Sequence, residues 1–302
     1  MTMNNLQLLP VAILMLVFCS SISFSQVDSI SIQDSSEVHD QLEQLLEQAP
    51  QEESSPILDV LSIEPEEISS SKIMFRSRMN QALQQSAGFS EGKYLGSPVK
   101  SYQRLNVVQG EHLSGGILFE KDAGEQRFND FMSGNLTLSK IGSFAKVVLG
   151  DYLVESGQGI ALWRGYDFSK GADVITPTKR ITRELLPYVS SGESAFLRGA
   201  AAQVRVGKLS GIVFFSRRFL TASIDSNDRI TAFSTSGYFR TLNELARRDN
   251  VNEQLIGMRS TYVLSTNNSM GVTAYMSDFS NALWLDGGRR FSGSRYSLVA
   301  ID

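Results

Sequence analysis

Apolar and polar residues alternate along most of the chain from residue 72 onward. In 72–81, Ile73, Phe75 and Met79 share one parity, while arginines and Asn80 occupy the other. A period of two is typical of a β-strand with one apolar and one polar face. The pattern predicts about ten strands, near 72–81, 101–108, 112–120, 131–140, 143–152, 196–206, 209–219, 255–265, 269–279 and 291–300.

The connections between these strands alternate between short and long. The short ones are 109–111, 141–142, 207–208 and 266–268, and the long ones are 82–100, 121–130, 153–195, 220–254 and 280–290. Strict alternation places all the long loops at one end of the strands, as in outer-membrane barrels. Most of the predicted strands also have the length that a tilted strand needs to cross a bilayer. The sequence therefore predicts an all-β fold, an antiparallel up-and-down transmembrane β-barrel over 72–302, complete or in part.

The polar face of this predicted barrel carries several basic residues. They are the candidates for the lining of the lumen: Arg76, Arg78, Arg104, Lys146, Arg205, Arg259 and Arg295. Such a lining attracts anions such as phosphate or nucleic acid. The alternative is that these side chains pair with inward carboxylates and have only a structural role.

The first 71 residues differ from the rest in charge. Residues 1–25 have a polar start, an apolar core and small residues at Ser23 and Ser25, which predicts a cleaved signal peptide. Residues 26–71 contain twelve acids and no Lys, Arg or aromatic residue, which predicts a largely disordered segment with short helices. All 28 Lys and Arg residues lie in 72–302, so an acidic segment precedes a basic body.

Few residues suit catalysis or cofactor binding. The chain has one cysteine, Cys19, and two histidines, which argues against thiolate chemistry and multi-histidine metal sites. The 157–159 Gly-Gln-Gly stretch lacks the Lys-Ser/Thr of a nucleotide loop. We therefore expect no catalytic, cofactor or metal residues and no enzymatic activity. The alternative is a surface-exposed β-scaffold enzyme or adhesin with its site in loop 153–195. The candidate carboxylates in this loop or directly before it are Asp151, Glu155, Asp167 and Glu193.

One helix is predicted inside a long loop. Residues 241–248 begin with Thr241 as the N-cap and end with Arg247 and Arg248 in the predicted last turn, where positive charge complements the helix dipole.

Several segments resemble a known family. They are Tyr94–Pro98, Glu120–Glu125, Leu149–Tyr152, Gly157–Gly159 with Leu162–Trp163, Pro187–Glu193, Phe196–Ala201 and Gly237–Thr241. Through these segments, taken together, the chain resembles the Bacteroidota outer-membrane proteins described as helix-hairpin-helix, or ComEA-like, domain-containing. The resemblance implies an outer-membrane location, assembly by the barrel-assembly machinery, contact with the lipid bilayer, and a link to DNA uptake.

The chain departs from that family in two respects. Family members carry helix-hairpin-helix repeats that bind DNA through a glycine-containing hairpin, and residues 26–71 contain no glycine. DNA or another polyanion is thus an expected partner only through the barrel itself. The residues before Asp302 also lack the terminal aromatic typical of outer-membrane barrels, so we expect 72–302 to be a barrel or part of one.

Overall fold

The chain folds into one large, mostly antiparallel β-sheet. The computed structural model describes residues 71–156, 159, 161–162, 183–194, 196–265, 268–285 and 291–302. The predicted signal peptide 1–25, the acidic segment up to residue 70 and Asp167 lie outside these residues. Long strands pair with their neighbours in chain order, from β1 at one edge to β13 at the other. Their bounds are β1 (Ser71–Gln81), β2 (Val99–Gln109), β3 (Leu113–Lys121), β4 (Phe131–Ile141), β5 (Phe144–Glu155), β7 (Leu197–Val206), β8 (Leu209–Leu220), β11 (Val251–Ser265), β12 (Asn268–Leu285) and β13 (Phe291–Ile301).

Short elements lie within the long connections. They are α1 (Ala87–Ser90), β6 (Glu184–Pro187), β9 (Ala222–Ile224), β10 (Arg229–Phe233) and α2 (Leu242–Leu245). β6 pairs with the end of β5, and β10 pairs with both β9 and the upper part of β12. None of the helices in the described ranges is long and apolar enough to cross a membrane.

The two faces of the sheet differ in what covers them. One face, here called the covered face, carries the buried side chains of Val148, Phe214 and Leu255, and Leu185 of β6 packs among them. The other, here called the outer face, carries the neighbouring residues Phe215 and Ile256, which are 44% and 56% exposed. Burial of each covered apolar side chain contributes roughly 1.5–3 kcal/mol to folding. The core therefore holds β6 against the covered face.

The strands match the alternation in the sequence, and each predicted strand is present. The two-residue turn between β7 and β8 works because Gly207 adopts φ +57, the left-handed conformation that tight hairpins need. β11 and β12 extend beyond their predicted ends. The upper part of β12 is lengthened by pairing with β10, in which Arg229 and Ile230 lie beside Ala282 and Leu283.

The topology differs from a closed up-and-down barrel in two ways. No ladder joins β1 to β13 among the described strands, so the sheet is open with these strands at its edges. The pairing of β10 with β12 is parallel. It arises because β9 and β10 form a small hairpin within the 221–250 connection, and β10 adds to β12 beyond the end of β11, whose ladder stops at Phe279.

Candidate functional site

The register places most of the predicted lumen residues on the covered face. Ladder pairs join Arg76 to Arg104 and Arg78 to Tyr102. Farther along the sheet, Lys146 pairs with Gln203, and Arg259 lies opposite Ile212. Arg205 follows Gln203 by two residues and so shares its face. These basic residues thus run along one side of the sheet from β1 to β11.

Arg295 lies on the outer face, unlike the other predicted lumen residues. It pairs in the ladder with Asp278, and its Nη2 donates to Asp278 Oδ2 at 2.6 Å. Tyr296, one residue on, packs instead into the cluster of Ile230, Val251 and other covered-face residues. Arg295 and Ser297 therefore face outward on β13, on the same side as the exposed Val299 and Ile301.

β6 neutralises part of the basic row. Lys146 Nζ donates to the Leu185 carbonyl oxygen at 2.9 Å, and Arg205 Nη2 donates to Glu184 Oε2 at 2.7 Å. Gln203 also donates to the Glu184 carboxylate. Glu184 adopts φ +60, a conformation that costs a residue with a side chain roughly 1–3 kcal/mol. These contacts fasten β6 across the middle of the covered face.

Arg259 is paired with a carboxylate as well. Its Nη1 and Nη2 donate to Asp302 Oδ1 and Oδ2 at 2.7 and 2.9 Å, and Nη1 also donates to Thr273 Oγ1. Gly271 makes room for this guanidinium, because a Cβ there would lie 2.3 Å from Arg259 Nη2. Arg205 and Arg259 thus each pair with a carboxylate, whereas Lys146 donates to a backbone carbonyl.

The loops at the upper end of the strands interlock. We call the segments 94–97, 122–130, 188–194 and 237–249 the loop cap. Gly96 N donates to the Gly124 carbonyl, Gly124 N donates to the Ser97 carbonyl, and Leu95 N donates to the Arg240 carbonyl, all within 2.9 Å. Gly96 has to be a glycine here, because a Cβ would lie 1.7 Å from the Glu125 carbonyl oxygen. Many of the segments that carry the family resemblance meet in this cap.

Arginines and aromatic rings join the segments of the loop cap. Arg248 donates to Asp130 Oδ1 at 2.7 Å and stacks over Phe239 at 4.6 Å. Arg240 stacks over Tyr238 at 4.1 Å and Tyr94 at 4.9 Å. The predicted helix is present with Thr241 as its N-cap in a capping box with Glu244. It ends at Leu245, so Arg247 and Arg248 follow the helix, and Arg248 pairs with Asp130 rather than with the helix terminus.

Two carboxyl groups lie inside the loop cap. Glu125 is buried and accepts hydrogen bonds from the amides of Asp122 and Phe239. These two hydrogen bonds lower the pKa of Glu125, but the effect of burial is larger and raises it to about 7. Burial, and then repulsion by carboxylates of which Asp122 is the strongest, raises the pKa of Glu193 to about 10. Glu193 therefore carries a proton at neutral pH.

Two of the four carboxylates proposed for an enzymatic site, Asp151 and Glu155, are held in ion pairs. The Asp151 carboxylate accepts hydrogen bonds from Nε and Nη2 of Arg198, at 2.6 and 2.8 Å. The Glu155 carboxylate accepts hydrogen bonds from Nε and Nη2 of Arg183, at 3.1 and 2.6 Å. Both acids are almost fully buried, and each is oriented by its arginine. Among the residues that the structure describes, neither forms a carboxylate pair of the kind that hydrolysis uses.

A cleft of about 280 Å³ opens beside the loop cap. Its walls include Asp130, Glu193, Arg198, Arg248 and Phe219. Asp130 Oδ2 is buried and has no hydrogen-bond donor among the described residues. No group of three or more His, Cys, Asp or Glu residues suited to a metal ion occurs in the described ranges. The cleft thus combines aromatic, cationic and acceptor groups, the kind of lining that binds a polar ligand.

Sequence reasoning did not predict the contacts that Glu125, Asp130 and Arg248 make in the loop cap. Their contacts join residues more than a hundred positions apart, such as Phe239 N with Glu125 Oε1. The available signal was the glycines at 96, 124 and 237, since a glycine in a polar loop often marks a close backbone approach.

Comparisons of the chain with protein-family models, with curated proteins and with solved structures gave no match.

Proposed function

We propose that this protein is a non-enzymatic outer-membrane β-barrel protein, exported through a cleaved signal peptide. It serves for the passage or surface binding of a polar, anionic solute. The observation that carries the proposal is the outer face of the sheet, because its composition suits hydrocarbon rather than water.

The outer face is apolar over many neighbouring strands. In the ladder from β8 to β11, Val213 lies beside Met258 and Phe215 beside Ile256, and all four are 44–60% exposed. The exposed apolar side chains continue onto other strands: Ile73, Phe75, Met79, Leu136, Leu149, Tyr262, Met270, Val272, Met276, Val299 and Ile301. Soluble proteins rarely expose so continuous an apolar surface, and contact with lipid accounts for it.

The covered face supports the choice of solute. Its basic row runs along the sheet at Arg76, Arg78, Arg104, Lys146, Arg205 and Arg259. A positive lining lowers the electrostatic energy of an anion and raises that of a cation. β6 lies over part of this row through Glu184 and Leu185, so an anion passes only where β6 leaves space or moves aside.

The loop cap supports the surface-binding part of the proposal. All the long connections lie at the same end of the strands, the end that faces the exterior in bacterial barrels. The cleft beside Asp130 and Arg248 is therefore placed where an external ligand would meet it.

Fractionation tests the membrane assignment. We expect the protein in the outer-membrane fraction, resistant to extraction by carbonate, with faster gel mobility before boiling than after it. Recovery in the soluble periplasm, with a mobility that heat does not change, would exclude the proposal.

Conductance in planar bilayers tests the solute. The purified protein should favour chloride over potassium, and Arg104→Gln should reduce that preference because it removes a positive charge from the covered face. Lys208→Gln, at the short turn between β7 and β8, is the matched control. Current blockade by single-stranded DNA would support the link to DNA uptake that the family resemblance implies.

A further inference from the structure

The outer face changes from apolar to polar along one row of the sheet, here called the boundary row. The ladders place four of its members side by side, namely Arg217 on β8, Gln254 on β11, Asp278 on β12 and Arg295 on β13. Arg198 on β7 comes directly before Gly199, which pairs with Ser216, the residue before Arg217. The next outward row below it contains Ala200, Phe215, Ile256 and Met276. The boundary row therefore lies at the level where a lipid headgroup would meet the protein.

Within the described ranges, Arg217 is the charged member of this row that no carboxylate neutralises. Arg198 is held by Asp151, and Arg295 is held by Asp278. Arg217 is exposed and has no ion-pair partner in the part of the chain that the structure describes. Its ladder neighbour on β11 is Gln254, a neutral side chain. One positive charge thus remains available at the edge of the apolar surface.

An apolar groove lies directly below Arg217. It encloses about 650 Å³, and its walls on the outer face include Ala200, Ala202, Val213, Phe215, Ile256 and Met258. The groove exists because the small side chains of Ala200 and Ala202 lie opposite Phe215 and Val213 in the ladder. The large side chains of β8 and β11 project farther from the sheet than the small side chains of β7, and the groove between them is lined by apolar atoms.

The upper end of the groove lies next to the charged side chain of Arg217. Phe215 and Arg217 are two residues apart on β8, so they share a face and lie about 7 Å apart along the strand. A ligand that fills the groove and reaches upward along β8 meets the guanidinium at its end. Its lower part must be apolar, because the groove offers almost no polar group, and its upper end must be negative.

We propose that the groove and Arg217 bind one anionic phospholipid of the surrounding bilayer. An acyl chain lies in the groove between Ala202 and Met258, and the headgroup phosphate accepts from the Arg217 guanidinium, the preferred side chain for phosphate. This site rests on the proposed function, since it requires the outer face to be in lipid.

Lipid retention in nanodiscs tests the site. The full chain is reconstituted in phosphatidylcholine with a minor fraction of phosphatidylglycerol, and retained lipids are counted by native mass spectrometry. We expect preferential retention of one phosphatidylglycerol. Arg217→Gln should reduce that preference about fivefold, the effect of one basic residue near an anionic headgroup. Arg217→Lys should keep most of it, because a lysine also binds phosphate.

Two further variants separate the groove from the charge. Ala202→Phe fills the groove and should reduce retention of the lipid while Arg217 is intact. Lys208→Gln makes the same charge change at the opposite end of β8 and should have no effect. Displacement of the lipid by excess inorganic phosphate would indicate a simple anion site and would overturn the proposal.

The outcomes distinguish this site from the proposed function. If the wild-type chain inserts and shows heat-modifiable mobility but retains both lipids equally, the lipid site is wrong and the barrel proposal stands. If the wild-type chain does not enter the bilayer at all, both fail.

Discussion

The carboxyl group of Glu193 lies against the backbone of Gly237 in the loop cap, in a space that a side chain at position 237 would occupy. A Cβ built on Gly237 would be 2.4 Å from Glu193 Cδ. Gly237 also has φ +67, a conformation that disfavours residues with a side chain. The backbone conformation thus favours glycine at this position, and a side chain there would also displace the Glu193 carboxyl group.

Gly237→Ala should therefore loosen the loop cap more than backbone strain alone can explain. Gly92→Ala is the matched control, since Gly92 has φ +66 and no atom within 4 Å of a built Cβ. We expect about 1–2 kcal/mol of strain in each variant. Gly237→Ala should lose roughly 1–3 kcal/mol more from overpacking. Hydrogen exchange of loop-cap amides measures the difference, and equal effects of the two variants would contradict the packing of Glu193 on Gly237.

The stability of the loop cap should fall as pH rises. The pKa of Glu125 is raised to about 7 and that of Glu193 to about 10 in the folded protein, above the ordinary glutamate value of 4.5. A raised folded pKa means that the folded state binds the proton more tightly. The stabilisation is complete below pH 4.5 and is lost as pH passes through the folded values. Between pH 5 and 8 both groups contribute, because the unfolded chain has already released both protons; the contribution of Glu125 changes up to about pH 7 and that of Glu193 over the whole range.

Limited proteolysis of the loop cap across that pH range is the measurement. Cleavage within 122–130 should be faster at pH 8 than at pH 5 in the wild type, and Glu125→Gln should reduce the dependence. Glu111→Gln, at the exposed turn before β3, is the control and should leave it unchanged. Faster cleavage at pH 5 would contradict the predicted direction.

The ion pairs of Arg259 and Arg295 should differ in their contribution to stability. Both are fork-like contacts to an aspartate, but the Arg259 side chain is 6% exposed and the Arg295 side chain is 65% exposed. Asp302→Asn leaves a buried guanidinium without its charge partner and should cost about 3 kcal/mol. Asp278→Asn should cost less than about 1 kcal/mol. The free energy of unfolding in urea, measured in lipid vesicles, decides this, and similar losses would contradict the burial of Arg259.

Release of β6 should increase anion passage. Glu184→Ala removes the acceptor for Arg205 and Gln203 and leaves the positive charge of Arg205 without that carboxylate. Single-channel conductance and the chloride preference should both rise. Glu111→Ala breaks an exposed contact with Lys140 and should change neither. Unchanged conductance in Glu184→Ala would mean that β6 does not obstruct the path.

The strands could be predicted from the sequence because one local rule governs them. A residue's parity sets its face, and Ile256 and Met258 face outward together for that reason. β13 shows the limit of the rule. Parity groups Tyr296, Leu298 and Ala300 correctly, but it does not say which group faces outward, and the ladder with β12 decides that.

The short elements and the loop cap could not be predicted in the same way. β6 has four residues and β9 has three, too few for a period to be recognised. The contacts of Asp130 with Arg248 and of Glu125 with Phe239 join distant parts of the chain, and no local pattern encodes such pairs. The capping box at Thr241 was predictable because it lies within four residues.

The contact of the outer face with hydrocarbon can be measured with spin labels. Cys19 is the only cysteine in the sequence, so each variant carries one added cysteine in a Cys19→Ser background. The labels replace Met258 on the outer face and Thr261 on the covered face, in vesicles that contain the inserted protein. Collisions with oxygen, which concentrates in lipid, should enhance the relaxation of the label at 258, and a polar nickel complex should enhance it little. The label at 261 should show the reverse preference. A label at 258 that the nickel complex reaches as readily as the label at 261 would place the outer face in water and would contradict the account.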